Sequence, residues 1–338
     1  MTRAFTFSIR LNNDHRIEEY VALARKAEAV GFDQFWISND LFLKSAPILL
    51  SAVAGATTRI GIGTAILNPY TMNPAEIAML AATLDELSGN RFHLGLAAGA
   101  REFINWVGIE HRAPLAAVRE SVAAVRRLLR GEVGIDASTL PWTRDAYLRF
   151  RAPRVTPIYI GAMGPKMLRL SGEIGDGALP LLLPPEHYFD VRPILEEGVK
   201  ERDPGLGALD FACCVWVSLS SDVDAARRAL AEKVAYYGSA LSPTILERLS
   251  LTREDFAIIE RVVVKERDMD KACSLVDERM LRIGVVGGSK EVIRRLEPLA
   301  EAGARHLSFG PPLGPDPLNA VEILGREVLP YFRSQGAS

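Results

Sequence analysis

The chain is short of the residues that staple small folds or hold metals. Its 338 residues include three cysteines, Cys213, Cys214 and Cys273. They form no CxxC pair, so neither a disulfide framework nor a cysteine zinc site is expected. Cys213 and Cys214 lie inside FACCVWVSLS, a strand-like run where a thiol serves as a small hydrophobe. The five histidines, His15, His93, His111, His187 and His306, show no HxH or HExxH spacing, and no metal is expected. The longest apolar runs are too short to cross a bilayer, and MTRAFTFSIRLNND lacks the apolar core of a secretory signal. A soluble cytoplasmic chain is therefore expected. The net charge of -2 leaves no basic footprint for nucleic acid.

What is present is a large core and a rhythm. With 48% hydrophobic and 24% charged residues, the chain can bury a sizeable interior. Short β-rich runs are expected at 5–11, 34–39, 59–66, 91–98, 157–162, 177–183, 211–219 and 306–309. Helical periodicity appears near 15–30, 45–56, 74–88, 114–130, 165–174, 187–201, 222–237, 290–302 and 318–333. Eight strands alternating with helices predict an α/β fold, a TIM (β/α)8 barrel, as one domain over 1–338. The stretch from about 239 to 289 breaks the rhythm with helical pieces and no obvious strand, and reads as an insertion between the seventh and eighth strands. A doubly wound sheet is the competing architecture. LGLAAGAREF offers only Gly95 and Gly99 without GxGxxG, which counts against it.

In a barrel, function gathers where strands end and βα loops begin. PIYIGAMGPKM has a strand, then Gly161 and Gly164, then Pro165 at a first helical position with Lys166 beside it. Small residues let the backbone approach a ligand, and the free N–H groups of a helix start attract an anion.

ATLDELSGNRFHLGLAAG, then GIE at 108–110, PIYIGAMGPKMLRLSGEIGDGAL and GPPLGPDPLNAVEILGREV together resemble the bacterial luciferase-like superfamily. Within it the chain is most similar to the branch of coenzyme F420-dependent methylenetetrahydromethanopterin reductase. The likeness runs from the first strand to the last helix, weakening at 131–152 and 240–282. It implies an F420-dependent oxidoreductase that transfers a hydride to or from a small organic substrate. Matching NPY to NPY, it also implies a non-prolyl cis peptide between Ala65 and Ile66, a bulge that supports the central ring of the cofactor. Ala97, Ala98, Gly99 and Arg101 would then lie near the ring and its ribityl chain. Gly161, Ala162, Met163, Gly164 and Lys166 would hold the phosphate. A homodimer through helices near the second and third strands, including AEIAMLAATLDEL, is also implied.

The chain departs from that branch at three pocket positions. Arg10 stands where an acidic residue is usual, Asn39-Asp40 replaces Asp-His, and Ala100 replaces an acidic residue. These put the pterin substrate in doubt and make Asp40, Arg10 and Asn39 the catalytic candidates. A carboxylate enclosed by Phe35, Trp36 and Phe42 is expected to have a raised pKa; a helix cap or a salt bridge is the structural alternative for Asp40. Arg10 is expected to orient an anion or a carbonyl oxygen, or to pair with Asp40. Asn12, Asn68 and Glu102 are secondary choices. Three other readings stay open: an FMN-dependent monooxygenase, a non-catalytic flavin- or deazaflavin-binding protein, and direct use of a nicotinamide.

Overall fold

The computed structural model describes residues 4–134 and 145–336. Its strands are β1 (Thr6–Leu11), β2 (Gln34–Ile37), β3 (Gly61–Thr64), β4 (Phe92–Leu96), β5 (Ile158–Ile160), β6 (Gly177–Ala178), β7 (Asp210–Leu219), β8 (Val285–Gly287) and β9 (His306–Leu313). β1 to β7 pair in chain order, β7 then pairs with β9, and β9 closes on β1 from Thr6↔His306 to Ile9↔Phe309. Every pairing is parallel, so eight strands form the expected closed barrel. Each expected strand is present, although the sixth is confined to Gly177–Ala178.

The ninth strand corrects the sequence reading. β8 lies outside the barrel and bonds to the upper part of β7, from Val217↔Val285 to Leu219↔Gly287. Three residues flanked by glycine, in GVVGG, are too few to show a period, so the stretch had no strand signal. The rest of 239–289 is short helices, packed on a second apolar cluster that includes Trp216, Leu230, Leu246 and Phe256.

Helices cover the strands as the periodicity requires. The helix Pro74–Ser88 shows how local chemistry sets an end. Pro74 occupies the first turn, the Asn73 side chain accepts from Ala75 N at 2.9 Å, and Glu76 reaches back to Asn73 N at 3.2 Å. The expected last helix is broken into Pro317–Ile323, a π-helical turn Leu324–Val328, and Leu329–Gly336. Among the described residues no helix is long and apolar enough to cross a membrane.

The barrel interior is plugged near the strand starts by a polar network. Asp210 Oδ2 meets Tyr159 OH at 2.6 Å and His306 Nδ1 at 2.9 Å, and His306 Nε2 lies 2.8 Å from Ser8 Oγ. Trp36 Nε1 donates to Gln34 Oε1 at 3.0 Å in the same region. Each buried polar atom named here therefore has a partner, and open space is left at the other end of the strands. Cys213 and Cys214 are fully buried in β7, and burial pushes both thiols up, as expected of core residues.

Candidate active site

At the C-terminal ends of the strands lies a cavity of about 360 Å³. Part of its wall is mostly small residues: Ala65 and Ile66 after β3, Ala97 to Ala100 after β4, and Gly161 to Met163 after β5; Phe103, Met167, Leu179 and Leu181 are among the larger side chains that complete it. The Ala65–Ile66 peptide is cis. Gly161 faces this bulge so closely that a Cβ there would come within 2.9 Å of Ala97 Cβ and 3.0 Å of Ile66 Cγ2. A side chain at 161 would fill the space that a flat ring needs.

Arg10, in β1, is buried beneath this wall. Its Nη1 donates to Pro180 O at 2.8 Å and its Nη2 to Ala65 O at 3.0 Å. The planar guanidinium thus ties the loop after β6 to the first residue of the bulge. Among the described residues it makes no ion pair with Asp40, which removes the structural pairing left open by the sequence.

A second lobe of about 340 Å³ adjoins the first and shares Arg10, Asp40, Leu41, Ala100, Phe103 and Leu181 with it. Its other walls are large side chains, among them Phe42, Trp106, Trp216, Tyr236 and Tyr237. Asp40 sits at the junction. Its backbone N and O are bonded to the Asn13 amide, at 3.2 and 3.0 Å, while its carboxyl has no hydrogen bond among the described residues. Burial raises its pKa, opposed by the positive charges of Arg10 and Lys233. The enclosure is not the one expected from sequence. Trp36 points into the barrel against Tyr159 and His93, Phe35 packs in the core, and Phe42 is 63% exposed.

The cavity gathers Arg10, Asn39, Asp40, Ala65, Ile66, Ala97, Ala98, Gly99, Gly161, Ala162 and Met163. Arg101, Gly164 and Lys166 are exposed and lie outside its lining, beside residues that do line it. Gly164 caps the helix Pro165–Ile174, whose first N–H groups are free for an anion. Asn39 Oδ1 accepts from Ala46 N at 3.1 Å, satisfying the first N–H of the helix Ala46–Ala56, whose N-cap is Ser45. Asn68 Oδ1 takes three bonds from Tyr70 and Thr71, a turn scaffold. Lys233 was not legible: it lies near the end of the helix Val223–Tyr237, which reads as an ordinary covering helix. Its one local signal is Tyr237, four residues on and therefore on the same helical face.

A parallel barrel with two adjoining cavities at the C-terminal ends of its strands has the architecture of a small-molecule-binding barrel. The profile of the luciferase-like monooxygenase family matches residues 4–306, and the chain belongs to this family. It is 32% identical over 324 residues to 5,10-methylenetetrahydromethanopterin reductase of Archaeoglobus fulgidus, covering 94% of this chain and 96% of that protein. It is 29% identical to F420-dependent glucose-6-phosphate dehydrogenase of Amycolatopsis mediterranei, covering 94% and 95%. The solved structure of coenzyme F420-dependent tetrahydromethanopterin reductase from Methanopyrus kandleri superposes with a TM-score of 0.89 at 29% identity, covering 98% of this chain and 100% of that one.

Proposed function

We propose that this chain is a coenzyme F420-dependent oxidoreductase that moves a hydride to or from a small organic substrate. The observation that carries the reading is the close approach of Gly161 to Ala97 and Ile66, which keeps this wall of the strand-end cavity free of a larger side chain, as a flat ring requires. The F420-dependent relatives along nearly the whole chain support it.

When bound, the deazaflavin supplies the two-electron carrier that gives or accepts the hydride. The protein's own residues supply the rest. Ala65, Ile66, Ala97, Ala98, Gly99 and Gly161 to Met163 shape the ring site, and the helix start at Gly164, with Lys166 and Arg101 at the rim, meets the phosphate. Arg10 is a positioning residue that fixes the Ala65 carbonyl. Asp40, with its pKa raised by burial and its carboxyl free of hydrogen bonds among the described residues, stands at the junction of the two lobes to exchange a proton with a substrate heteroatom. Asn39 anchors the loop that carries Asp40 through its bond from Ala46 N and lines the cavity.

A small-molecule substrate, a cytoplasmic setting, a single domain over 1–338 and a homodimer belong to the same proposal. The dimer face is supported by Ile48, Met79 and Leu87, all about half exposed or more on the helices Ala46–Ala56 and Pro74–Ser88.

The test is equilibrium binding of the purified protein to F420, FMN and NADPH in parallel, followed by F420 absorbance as a substrate panel is added. Preferential F420 binding with reversible loss of its absorbance is expected. Tight FMN binding with F420 excluded overturns the reading in favour of a monooxygenase, and F420 binding without turnover across a broad panel favours a carrier.

A further inference from the structure

The second lobe holds a cation with no counterion. Lys233 is half-buried, and its Nζ lies 4.2 Å from the ring centroid of Tyr237 and 5.3 Å from that of Trp216. Among the described residues it makes no ion pair and no hydrogen bond; Asp14 and Asp40 act on it from beyond ion-pair distance. Aromatic faces compensate an ammonium only in part, and water supplies the remainder while the lobe is open. A ligand that expels this water must bring a negative charge of its own or bind poorly.

We propose that Lys233 anchors an anionic group of the substrate, and that the substrate class is a planar aromatic carboxylate held among Phe103, Trp106, Trp216 and Tyr237. The inference deepens the oxidoreductase reading and rests on it for the hydride partner. The shared wall of Asp40, Leu41, Ala100 and Phe103 lets a ligand fixed at Lys233 present its far end to the ring site. A monoanion fits better than a phosphate dianion. Arg10 gives one hydrogen bond from each Nη to a carbonyl oxygen, and Asp14 and Asp40 act on Lys233 and repel a second negative charge.

The charged and titratable groups acting on Lys233 are Asp14, Asp40, Arg10 and Cys214, and Tyr237 lies beneath it. Burial pushes the ammonium down to about 8, with Arg10 adding to the drop and the two aspartates opposing it. The anion site therefore discharges in mildly alkaline solution.

The experiment titrates the full-length protein with benzoate, benzamide and phenyl phosphate, reading the fluorescence of the tryptophans that line the lobe, with F420 affinity measured separately. Benzoate is expected to bind the wild type better than benzamide or phenyl phosphate. Lys233→Met should weaken benzoate by about tenfold or more and leave benzamide unchanged, with Lys233→Arg recovering most of the loss. In the wild type, benzoate affinity should fall by up to about tenfold per pH unit above the Lys233 pKa. Lys233→Gln serves as the second neutral variant should the methionine form fold poorly. Equal affinity for benzoate and benzamide, no saturable benzoate binding, no effect of neutralising Lys233, or a preference for phenyl phosphate each overturns the proposal. Wild-type protein that binds benzoate through Lys233 but not F420 would refute the cofactor reading and leave the anion site standing.

Discussion

Arg10 Nη2 donates a 3.0 Å hydrogen bond to the carbonyl oxygen of Ala65, joining β1 to the wall on which the cofactor ring is proposed to rest. The same guanidinium holds Pro180 O at 2.8 Å. Hydrogen bonds to a charged group contribute about 1.5–3 kcal/mol each, and a buried carbonyl left unpaired carries a desolvation penalty. Arg10→Met is therefore expected to weaken F420 binding by about tenfold or more and to lower Tm by several degrees. Arg10→Lys, which keeps the charge without the fork, should fall between. Fluorescence titration with F420 and thermal unfolding measure the two effects. Unchanged F420 affinity in the methionine variant would refute the assignment of the first lobe.

Gly161 tests this wall of the cavity directly. A valine there brings its Cβ to within 3.0 Å of Ala97 and Ile66, so F420 affinity should drop by about tenfold or more, with a stability loss of about 1–3 kcal/mol. A methyl group added at Gly164 would meet nothing within 4 Å, and Gly164→Ala should retain both the fold and ring binding. Comparing the two variants by binding and by urea denaturation separates a filled cavity from general damage.

Asp40→Asn keeps the shape of the junction and removes its titrating carboxyl. With a turnover substrate in hand, kcat is expected to fall by about a hundredfold or more while F420 affinity stays unchanged. The wild-type pH–rate profile should show a limb above the ordinary carboxylate range, because burial raises the pKa, and the variant should lack it. A variant with wild-type kcat would remove Asp40 from the chemistry.

The interior histidine sets an acid limit. Burial pushes His93 down to about 4 from 6.5, and its Nδ1 has no partner. Between these values the unfolded chain binds the proton and the folded one does not, so stability falls as pH drops through this window. The loss attributable to His93 is about 3 kcal/mol at most. Denaturant titrations at pH 7 and 4.5 should show a smaller difference for His93→Leu than for the wild type; an equal difference would place the acid sensitivity elsewhere.

Lys233 gives the opposite end of the scale. Its ammonium titrates at about 8 when folded against 10.5 for the free side chain, so the folded state binds fewer protons in that interval and wild-type stability rises there with pH. Measured as a Tm difference from Lys233→Met, the wild type should gain on the variant between pH 8 and 10. A constant difference would mean that the ammonium is not desolvated.

The eight barrel strands were legible because doubly covered parallel strands read as short apolar runs between turn residues, as in QFWI and FHLGL. That Ala65-Ile66 and Gly161 line one cavity was legible because they lie at strand ends within motifs that resemble a known family. Side-chain direction was less so. Trp36 is close to Asp40 in sequence, yet the alternation of a strand turns it into the barrel against Tyr159. Lys233 and the aromatic residues around it come from β7, the helix after it and the helix Arg101–Trp106 after β4, and no local pattern brings those segments together. β8 escaped because three residues cannot establish a period.

The two lobes are built from different kinds of material. The first has a side of mostly small residues at strand ends, where even one added carbon at Gly161 collides with its neighbours. The second is walled largely by long side chains on loops and a covering helix, including exposed Phe42, Trp106 and Tyr236. Ancestry and novelty can therefore be written in separate places. Descendants or designers can repaint the outer chamber for a new guest, one side chain at a time, while the proposed seat of the hydride carrier stays as it was.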